Sequence, residues 1–376
     1  MKDGFVRAAC ATPDIRVADV AYNSDNIIRI IKRAAVNGIK LIVFPELCIT
    51  GYTCGDLFLQ RSLIEGAENQ LMRIARETSK CDICSVVGLP YALDQKLYNV
   101  AAVISGGRII GMVPKLNLPN HSEFYELRHF TPGNAEPEMV SFHGGEIPFG
   151  SKILFTAEGM DSFTFAVEIC EDLWTVNPPS NSHALAGATI IANLSCSDEL
   201  IAKEEYRRML IKSQSARLYC GYLYADSGYG ESTQDMVFSG DNIIAENGSI
   251  LARSKRFTNE CVYSEIDTER LINERRRSNT FKAGVDGRYM RVNFRIGIRE
   301  CELTRYVGKL PFVPSDEAAR EKRCEEILAI QSMGLKKRLD HTNAKTAVIG
   351  VSGGLDSTLA LLVAVRAFDS LQKDRD

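Results

Sequence analysis

Short apolar runs alternate, between residues 5 and 266, with stretches whose apolar residues recur at helical spacing. A regular alternation of this kind is typical of a layered α/β domain. Strands are predicted at Phe5–Cys10, Lys40–Phe44, Ile83–Gly88, Tyr98–Ile104, Arg108–Val113, Ser162–Ile169, Ala188–Leu194, Tyr222–Ala225, Met236–Phe238, Asp241–Ile244 and Val262–Ile266. Helices are predicted at Asn23–Asn37 and near residues 60–78, 182–187 and 203–217.

The pattern changes after this region. A charged helical stretch covers Asp267–Asn279 and is followed by irregular sequence with a possible strand at Val292–Ile298. A helix rich in Glu, Ala, Arg and Lys then runs to about His341, with Ser315 or Asp316 as its N-cap. We therefore divide the chain into a first domain at residues 1–267, a connector at residues 268–340 and a final segment at residues 341–376.

The final segment contains a glycine loop between a predicted strand, Thr346–Val351, and an apolar helix. Gly353 and Gly354 let the backbone approach a phosphate closely, while Ser352 and Ser357 add hydroxyl donors. The start of the following helix would direct its N–H groups and the positive end of its dipole at the anion. The loop lacks the Gly-Lys-Ser/Thr ending of a Walker A motif. It resembles instead the pyrophosphatase-type loop of enzymes that split ATP into AMP and pyrophosphate.

Composition is that of an ordinary soluble protein, with 45% hydrophobic and 25% charged residues and a net charge of -3. This charge gives no reason to expect a nucleic-acid partner. No apolar run has the length of a membrane span, so we expect no membrane partner and a cytoplasmic location.

The 11 cysteines form no regular framework, which favours reduced thiols. Cys81 and Cys84 have the spacing of half a zinc site, but no second half follows, and no metal site is expected.

Reactive residue types follow several of the predicted strands directly. Glu46 follows Lys40–Phe44, Lys115 follows Arg108–Val113, and Cys170 follows Ser162–Ile169; Ser195, Cys196 and Ser197 follow Ala188–Leu194 in the same way. In an open α/β sheet, residues just past the carboxyl ends of the strands gather at one edge, where ligands bind. We therefore expect a carboxylate, an ammonium group and a thiol to meet in one pocket.

These three groups suit acyl transfer from an amide through a thioester. Cys170 would be the nucleophile, Glu46 the general base, and Lys115 the group that stabilises the oxyanion with the backbone N–H of Glu171. The carboxylates of Glu171 and Asp172 beside the thiol should raise its pKa. Either Lys115 offsets them, or Glu171 points towards the substrate while Asp172 turns inward to hydrogen-bond backbone.

Three segments carry a resemblance to a known superfamily. Phe44–Leu47 with Gly51 and Tyr52, Pro114–Leu116, and Glu168–Asp172 resemble the signature segments of the nitrilase, or carbon–nitrogen hydrolase, superfamily. The resemblance implies an α/β fold, a four-layer α-β-β-α sandwich, and homo-oligomers formed by pairing of such domains. It also implies that Glu46, Lys115 and Cys170 form the catalytic triad.

The same resemblance implies supporting residues around the triad. The superfamily has a second glutamate eight positions after the lysine, which corresponds to Glu123; Glu126 is a nearby alternative. Tyr52 lies in the first signature segment and would help to hold the triad residues in position.

Two longer segments, Gly51–Phe58 and Ala192–Ser197, resemble the glutaminase domain of glutamine-dependent NAD(+) synthetases. In that family a nitrilase domain precedes a domain with a Ser-Gly-Gly-x-Asp-Ser loop. The likeness implies that the amino-acid head of glutamine is bound by His121, Glu171, Ser197 and Lys203. It implies that ATP is bound by Ser352, Gly353, Gly354, Asp356 and Ser357. His121 stands where an aromatic residue is common, and Lys203 where arginine is common.

The implied activity is hydrolysis of glutamine at Cys170, with no cofactor for that step. In the intact family enzyme the ammonia serves the amidation of nicotinic acid adenine dinucleotide to NAD, with ATP and Mg²⁺. Residues 341–376 would be the first βα unit of an adenine-nucleotide alpha-hydrolase-like domain, too short for a whole one, so we expect no NAD synthesis by this chain alone. Two alternatives remain: a stand-alone amidase or carbamoylase, and a nucleotide-binding module whose Cys170 pocket is silent.

Overall fold

Strands and helices fill most of the computed structural model, which describes residues 1–284, 288–314 and 316–372. The strands are β1 Phe5–Ala11, β2 Leu41–Val43, β3 Cys84–Leu93, β4 Lys96–Ser105, β5 Arg108–Pro114, β6 Glu138–Phe142, β7 Gly145–Phe149, β8 Ile153–Ala157, β9 Met160–Ile169, β10 Ile190–Ser195, β11 Gly221–Asp226, β12 Ile243–Glu246, β13 Ser249–Arg253, β14 Cys261–Asp267 and β15 Met290–Phe294. The helices are α1 Val20–Val36, α2 Arg61–Glu77, α3 Pro179–Ala186, α4 Lys203–Leu218, α5 Thr268–Arg277, α6 Glu317–His341 and α7 Leu355–Ser370. They form two compact units, Met1–Arg305 and Tyr306–Asp376.

Two mixed sheets make up the centre of the first unit. One has the strand order β14-β1-β2-β3-β4-β5-β7-β6, and the other has the order β13-β12-β11-β10-β9-β8-β15. Strands β1, β2 and β3 run parallel in the first sheet, as β9, β10 and β11 do in the second. Parallel neighbours present their carboxyl ends at one edge, which is where the reactive residues of the sequence lie.

Three of the apolar clusters in the first unit place its helices and sheets in layers. One core joins the facing sides of the two sheets through residues such as Val43, Phe155 and Leu223. A second packs α1 and α2 on the outer side of the first sheet, and a third packs α3 and α4 on the outer side of the second. The expected four-layer α-β-β-α sandwich is therefore confirmed.

Helix α1 shows how the sequence produces a layer. The Asp19 side chain accepts a hydrogen bond from the backbone N–H of Tyr22 and so caps the helix. Ile27, Ile31 and Ala34 recur on one face and are almost fully buried against the first sheet. Their spacing gives one apolar stripe towards the core, as the helical period requires.

Two predicted strands are wrong. Met236–Phe238 forms no strand; Phe238 makes only an isolated bridge to Asp198. Thr346–Val351 is described and is irregular. A strand is stable only when a neighbour accepts its backbone hydrogen bonds, and neither segment is paired along its length. Conversely, β6, β7, β8 and β13 are present but were not predicted.

The expected boundary between the first domain and the connector needs correction. Helix α5 and strand β15, both assigned to the connector at 268–340, belong to the first unit, which extends through Arg305. β15 pairs in parallel with β8 and so completes the edge of the second sheet. Arg305 itself donates to the Glu246 carboxylate at 2.8 and 2.9 Å.

The second unit is built around two helices. Asp316 caps α6 by accepting a hydrogen bond from the backbone N–H of Ala319 at 2.7 Å; the alternative cap, Ser315, lies outside the described residues. Leu339 of α6 packs with Ala367 and Phe368 of α7. Among the described residues, neither unit has a helix of the length and apolar character needed to cross a membrane.

Candidate active site

The carboxyl ends of strands from both sheets supply the site. Glu46 follows β2 and Lys115 follows β5 in the first sheet, whereas Cys170 follows β9 and Ser195 ends β10 in the second. The backbone N–H of Glu46 donates to the Ser195 carbonyl at 3.3 Å, which connects the two sheets at this edge. The site therefore lies where the two sheets meet, and packing of one sheet on the other brings its residues together.

A buried ion pair joins two of the expected triad residues. The Lys115 Nζ donates to the Glu46 Oε1 at 2.6 Å, and both side chains are fully buried. Asn99 of β4 donates its side-chain N–H to the same oxygen at 2.6 Å. The backbone N–H of Cys196 donates to the other carboxylate oxygen of Glu46 at 3.1 Å. Three donors thus fix the orientation of the Glu46 carboxylate.

A second carboxylate shares the lysine. Lys115 Nζ also donates to the Glu126 Oε1 at 2.7 Å, and the Tyr52 hydroxyl donates to that oxygen at 2.8 Å. Burial alone would lower the pKa of Lys115, but Glu126 and Glu46 together raise it well above its ordinary value. Burial raises the pKa of Glu126 to about 7 although Lys115 opposes the change. Lys115 is therefore a permanent cation in the site.

The second glutamate was expected at Glu123, but the structure brings the alternative, Glu126, into contact with Lys115. Glu123 lies elsewhere, with its half-buried side chain hydrogen-bonded to Asp198, and this contact raises its pKa. Both glutamates line one pocket with Tyr52, His129 and other residues. Glu123 therefore faces this pocket without touching the lysine.

Cys170 begins a 3-10 turn directly after β9, and its backbone φ of +44° lies in the left-handed region. This conformation is uncommon for a residue with a side chain and is maintained by the surrounding structure. Only 5% of the residue is exposed. Burial, and to a smaller extent the charge of Glu46, raises the pKa of the thiol well above its ordinary value. The charge of Lys115 and a hydrogen bond from Ser195 act in the opposite direction. The resting group is a thiol that needs a base.

The two acidic residues after Cys170 have separate environments. Asp172 turns inward, where its carboxylate accepts from the backbone N–H of Ile169 at 3.1 Å and from the backbone and side-chain N–H groups of Asn117 at 2.9 and 2.8 Å. Glu171 is half-buried and lies 3.9 Å from the His121 Nε2. Burial raises the pKa of Glu171, while Lys115, His121 and Lys203 oppose the shift. Of the two arrangements considered from sequence, the structure has the one with Asp172 turned inward.

The remaining expected glutamine ligands are Ser197 and Lys203. Ser197 is buried, and its backbone N–H donates to the Asp226 carboxylate at 2.9 Å. The Lys203 ammonium pairs with Asp198 and lies over the rings of Phe124 and Trp174, at 5.7 and 5.5 Å from their centroids. A positive group and the negative Glu171 are thus close together near the triad.

Sequence reasoning missed Asn99 and did not assign a role to Ser195. Asn99 is a buried amide within the apolar strand β4. A polar residue inside an apolar run is the sequence signal that could have identified it, because buried polar groups are almost always hydrogen-bonded. Ser195 lies with its Oγ 3.3 Å from the Cys170 Sγ. No local pattern distinguishes it from an ordinary serine at the end of a strand.

The glycine loop of the second unit precedes α7, which begins after Gly354. Gly353 has a φ of +85° and no atom within 4 Å of the position that a Cβ would occupy. Ser352 Oγ lies 3.4 Å from Ser357 Oγ, and apart from Ser357 the expected ATP ligands, including Asp356, are exposed. The residues present fit a phosphate group approaching the start of a helix. The described residues contain no cluster of three or more His, Cys, Asp or Glu that could hold a metal ion.

Comparisons with known proteins agree with this fold. The sequence model of the carbon–nitrogen hydrolase family matches residues 7–276, and that of the NAD synthase family matches residues 327–374. The glutamine-dependent NAD(+) synthetase of Mycobacterium tuberculosis H37Rv is 40% identical over 376 residues, which cover 97% of the chain and 55% of that protein. The synthetase of Aquifex aeolicus is 29% identical over 93% of the chain and 57% of its own length. The chain thus spans about half the length of these relatives.

Solved structures show the same fold. A glutamine-dependent NAD(+) synthetase from Cytophaga hutchinsonii has a TM-score of 0.63 and 25% identity, over 97% of the chain and 52% of that protein. An amidase from Nesterenkonia sp. has a TM-score of 0.56 and 19% identity, over 74% of the chain and 97% of that protein. The amidase corresponds only to part of the chain, whereas the synthetase corresponds to nearly all of it.

Proposed function

The chain belongs to the carbon–nitrogen hydrolase family, and from this premise we propose that its first unit hydrolyses the side-chain amide of glutamine through a thioester on Cys170. One observation carries the proposal. Glu46, Lys115 and Cys170, from strands of two different sheets, meet at one buried edge, with Lys115 2.6 Å from Glu46. Their residue types supply a base, a cation and a nucleophile for acyl transfer.

In the first half of the reaction, the Cys170 sulfur attacks the amide carbon while Glu46 takes the thiol proton. The raised pKa of Cys170 makes this base necessary. Negative charge that develops on the amide oxygen is stabilised by the Lys115 ammonium. Glu46 then gives its proton to the departing nitrogen, the carbon–nitrogen bond breaks, and ammonia and a thioester result.

In the second half, water attacks the thioester carbon and gives a proton to Glu46. The carbon–sulfur bond breaks, its electron pair goes to sulfur, and the proton held by Glu46 returns to Cys170. Glutamate leaves and the resting thiol is restored. Glu46 thus acts alternately as base and acid, which requires the fixed orientation given by its three hydrogen-bond donors.

Glutamine specificity would come from charges beside the triad. Glu171 would pair with the α-ammonium group of glutamine and Lys203 with its α-carboxylate, and His121 and Ser197 would also contact the amino-acid head. Support comes from the proximity of the two opposite charges: Lys203 is close enough to Glu171 to oppose the rise that burial causes in its pKa. Lys203 would have to share its charge with Asp198, since lysine offers a point charge and not a planar fork.

For a protein with the full length of the relatives, we propose that the ammonia amidates nicotinic acid adenine dinucleotide to NAD. The loop at Ser352–Ser357 would hold the phosphates of ATP, and Mg²⁺ would accompany the nucleotide. Support comes from the match to the NAD synthase family at residues 327–374. We also propose a cytoplasmic homo-oligomer; the described cysteines are all free thiols, as in reducing compartments.

The test is ammonia release from glutamine by the native chain and by Cys170→Ala, Lys115→Ala and Glu46→Gln. We expect release by the native chain and at least a thousandfold loss in each variant. Propionamide and a carbamoyl amino acid serve as competing substrates. Faster turnover of either than of glutamine would favour the amidase or carbamoylase alternative, and equal activity of the Cys170→Ala variant would exclude the thioester.

A further inference from the structure

Ser195 contacts two potential acceptors with a single hydroxyl proton. It ends β10 and is fully buried. Its Oγ lies 3.3 Å from the Cys170 Sγ on one side and 2.6 Å from the Tyr224 hydroxyl oxygen on the other, and it is placed to donate to each. A serine hydroxyl has one proton, so the two acceptors compete for it.

The outcome of this competition depends on the charge of the sulfur. A neutral thiol or thioester sulfur is a weak acceptor, whereas hydrogen bonds to an ionised group are roughly twice as strong as neutral ones. We propose that Ser195 is a catalytic residue whose hydroxyl proton faces Tyr224 while the Cys170 sulfur is neutral and turns to that sulfur when it becomes negatively charged. Ser195 would then stabilise the charged states of the sulfur more than the resting state, which is the requirement for catalysis.

The electrostatic surroundings of Cys170 explain why such a donor is needed. The charged groups that face the sulfur are Glu46, Lys115 and Glu126, and the Tyr52 hydroxyl also lies near it. Lys115 is the cation among them, and two carboxylates already share it. A negative sulfur at this position therefore receives little net positive charge, and a neutral hydroxyl donor adds stabilisation without adding charge.

Tyr224 remains a neutral acceptor throughout. Burial raises its pKa well above the ordinary value; the charge of Asp226 acts in the same direction and that of Arg207 opposes it. The side chain is fully buried on β11, next to β10. It therefore accepts the hydrogen bond from Ser195 as a neutral hydroxyl.

The charged sulfur arises twice in the proposed reaction. Negative charge develops on the sulfur as Glu46 takes the thiol proton during attack on the amide, and again when the carbon–sulfur bond of the thioester breaks and its electron pair goes to sulfur. In each case Ser195 donates a hydrogen bond but transfers no proton, because the proton on sulfur comes from and returns to Glu46. This role depends on the proposed function, although the hydrogen bond itself does not.

Alkylation of Cys170 by iodoacetamide tests the inference without glutamine. The rate at Cys170 is measured by peptide mass spectrometry from pH 6 to 10 in the native chain, Ser195→Ala and Tyr224→Phe. Each substitution removes one oxygen, so a folded variant is expected; thermal melting checks this. Below the thiol pKa the rate follows the thiolate fraction, and loss of a charge-assisted hydrogen bond lowers that fraction about tenfold. Because a more basic thiolate is also more nucleophilic, the net loss should be about three- to tenfold.

The two variants should change the rate in opposite directions. Below the thiol pKa, Ser195→Ala loses the donor and slows alkylation, while Tyr224→Phe loses the competing acceptor and speeds it by about threefold. Ser227→Ala, at a buried serine whose side chain hydrogen-bonds Cys196, is the matched control and should leave the rate unchanged. Equal slowing in both test variants, or no change in Ser195→Ala, would overturn the inference. Alkylation as expected without ammonia release would contradict the proposed function alone.

Discussion

Lys115 and Glu46 meet in the interior of the first unit, where the lysine Nζ lies 2.6 Å from the glutamate Oε1 and neither side chain reaches solvent. The same ammonium is 2.7 Å from Glu126, so one buried cation serves two carboxylates. Removing one partner from a buried ion pair is far more costly than the pair's own net contribution to stability. Stability and chemistry at this site therefore depend on the same charge balance.

Lys115→Met should destabilise the first unit strongly. The variant leaves two buried carboxylates without their cation, which costs about 3–5 kcal/mol of unfolding free energy. Trp174 is the single tryptophan of the chain, so its fluorescence during urea unfolding reports on this unit. Glu126→Gln is the matched control: it leaves one cation with one carboxylate and should cost much less. Equal losses in the two variants would contradict the charge-balance explanation.

The pH dependence of stability should change in Glu126→Gln. Because burial raises the pKa of Glu126 in the folded chain to about 7, above its ordinary value, the folded state binds this proton more tightly than the unfolded state. The native chain therefore loses stability from this group as pH rises from about 4.5 to about 7. The variant has no carboxyl group there and escapes the loss. Across that window, the difference in unfolding free energy should move in favour of the variant by roughly 3 kcal/mol.

Denaturant titrations of both proteins at several pH values measure this difference directly. Other buried acids, such as Glu168 and Asp226, also have pKa values raised to about 7, but they are present in both proteins and cancel. A constant difference between pH 4.5 and 7 would mean that Glu126 does not change its protonation in this range.

Gly88→Ala should displace the catalytic glutamate. A Cβ at this position would lie 2.3 Å from the backbone N of Leu47 and 2.8 Å from the carbonyl oxygen of Pro45, so the segment that carries Glu46 must move. We expect ammonia release to fall by at least a hundredfold, because small misplacements of catalytic groups are costly. Gly145→Ala, where the nearest atom is 3.8 Å away, is the matched control and should retain activity. Near-native activity in Gly88→Ala would show that the loop can shift freely.

Glu171→Gln and Asp172→Asn should have different effects although the residues are adjacent. Glu171 is half-buried and faces the proposed glutamine subsite, so its variant should raise the KM for glutamine about tenfold with little change in stability. The Asp172 carboxylate accepts three N–H donors, and an amide there would face them with its own donors. Asp172→Asn should therefore lower the unfolding free energy by about 2 kcal/mol.

Steady-state kinetics and urea unfolding of both variants separate the two roles. A rise in KM for Asp172→Asn without loss of stability would assign the substrate contact to Asp172. A destabilised Glu171→Gln with unchanged KM would show that Glu171 is structural.

Prediction of the fold succeeded for elements whose own sequence shows a clear hydrophobic pattern. The amphipathic pattern of α1 and the apolar run of β9 are visible in a short window of sequence, because burial of one face sets their period. The failures concern pairing. Thr346–Val351 has the composition of a strand but is irregular, while the short strands β6 and β7 exist because each supplies the other with hydrogen-bond partners.

For the site, too, prediction succeeded where the signal is local and failed where it depends on contacts between elements. Glu46, Lys115 and Cys170 were identified because each follows a strand directly, and parallel strands present their ends at one edge. Asn99 comes from the interior of a strand. The spacing after Lys115 favoured Glu123, whereas Glu126 is the glutamate that contacts the lysine. Which of these two glutamates contacts Lys115 depends on the path of the loop after β5.

Local pattern was sufficient to predict the layered α/β class, the three reactive residues at strand ends and the glycine loop, because periodicity and residue chemistry are local properties. The folded chain was needed to establish that Lys115 is shared by Glu46 and Glu126, that Asp172 turns inward, and that Ser195 lies between Cys170 and Tyr224. Most of these contacts join residues that are far apart in the chain. They depend on how the sheets pack against each other, and a pattern over a few neighbouring residues does not predict that packing.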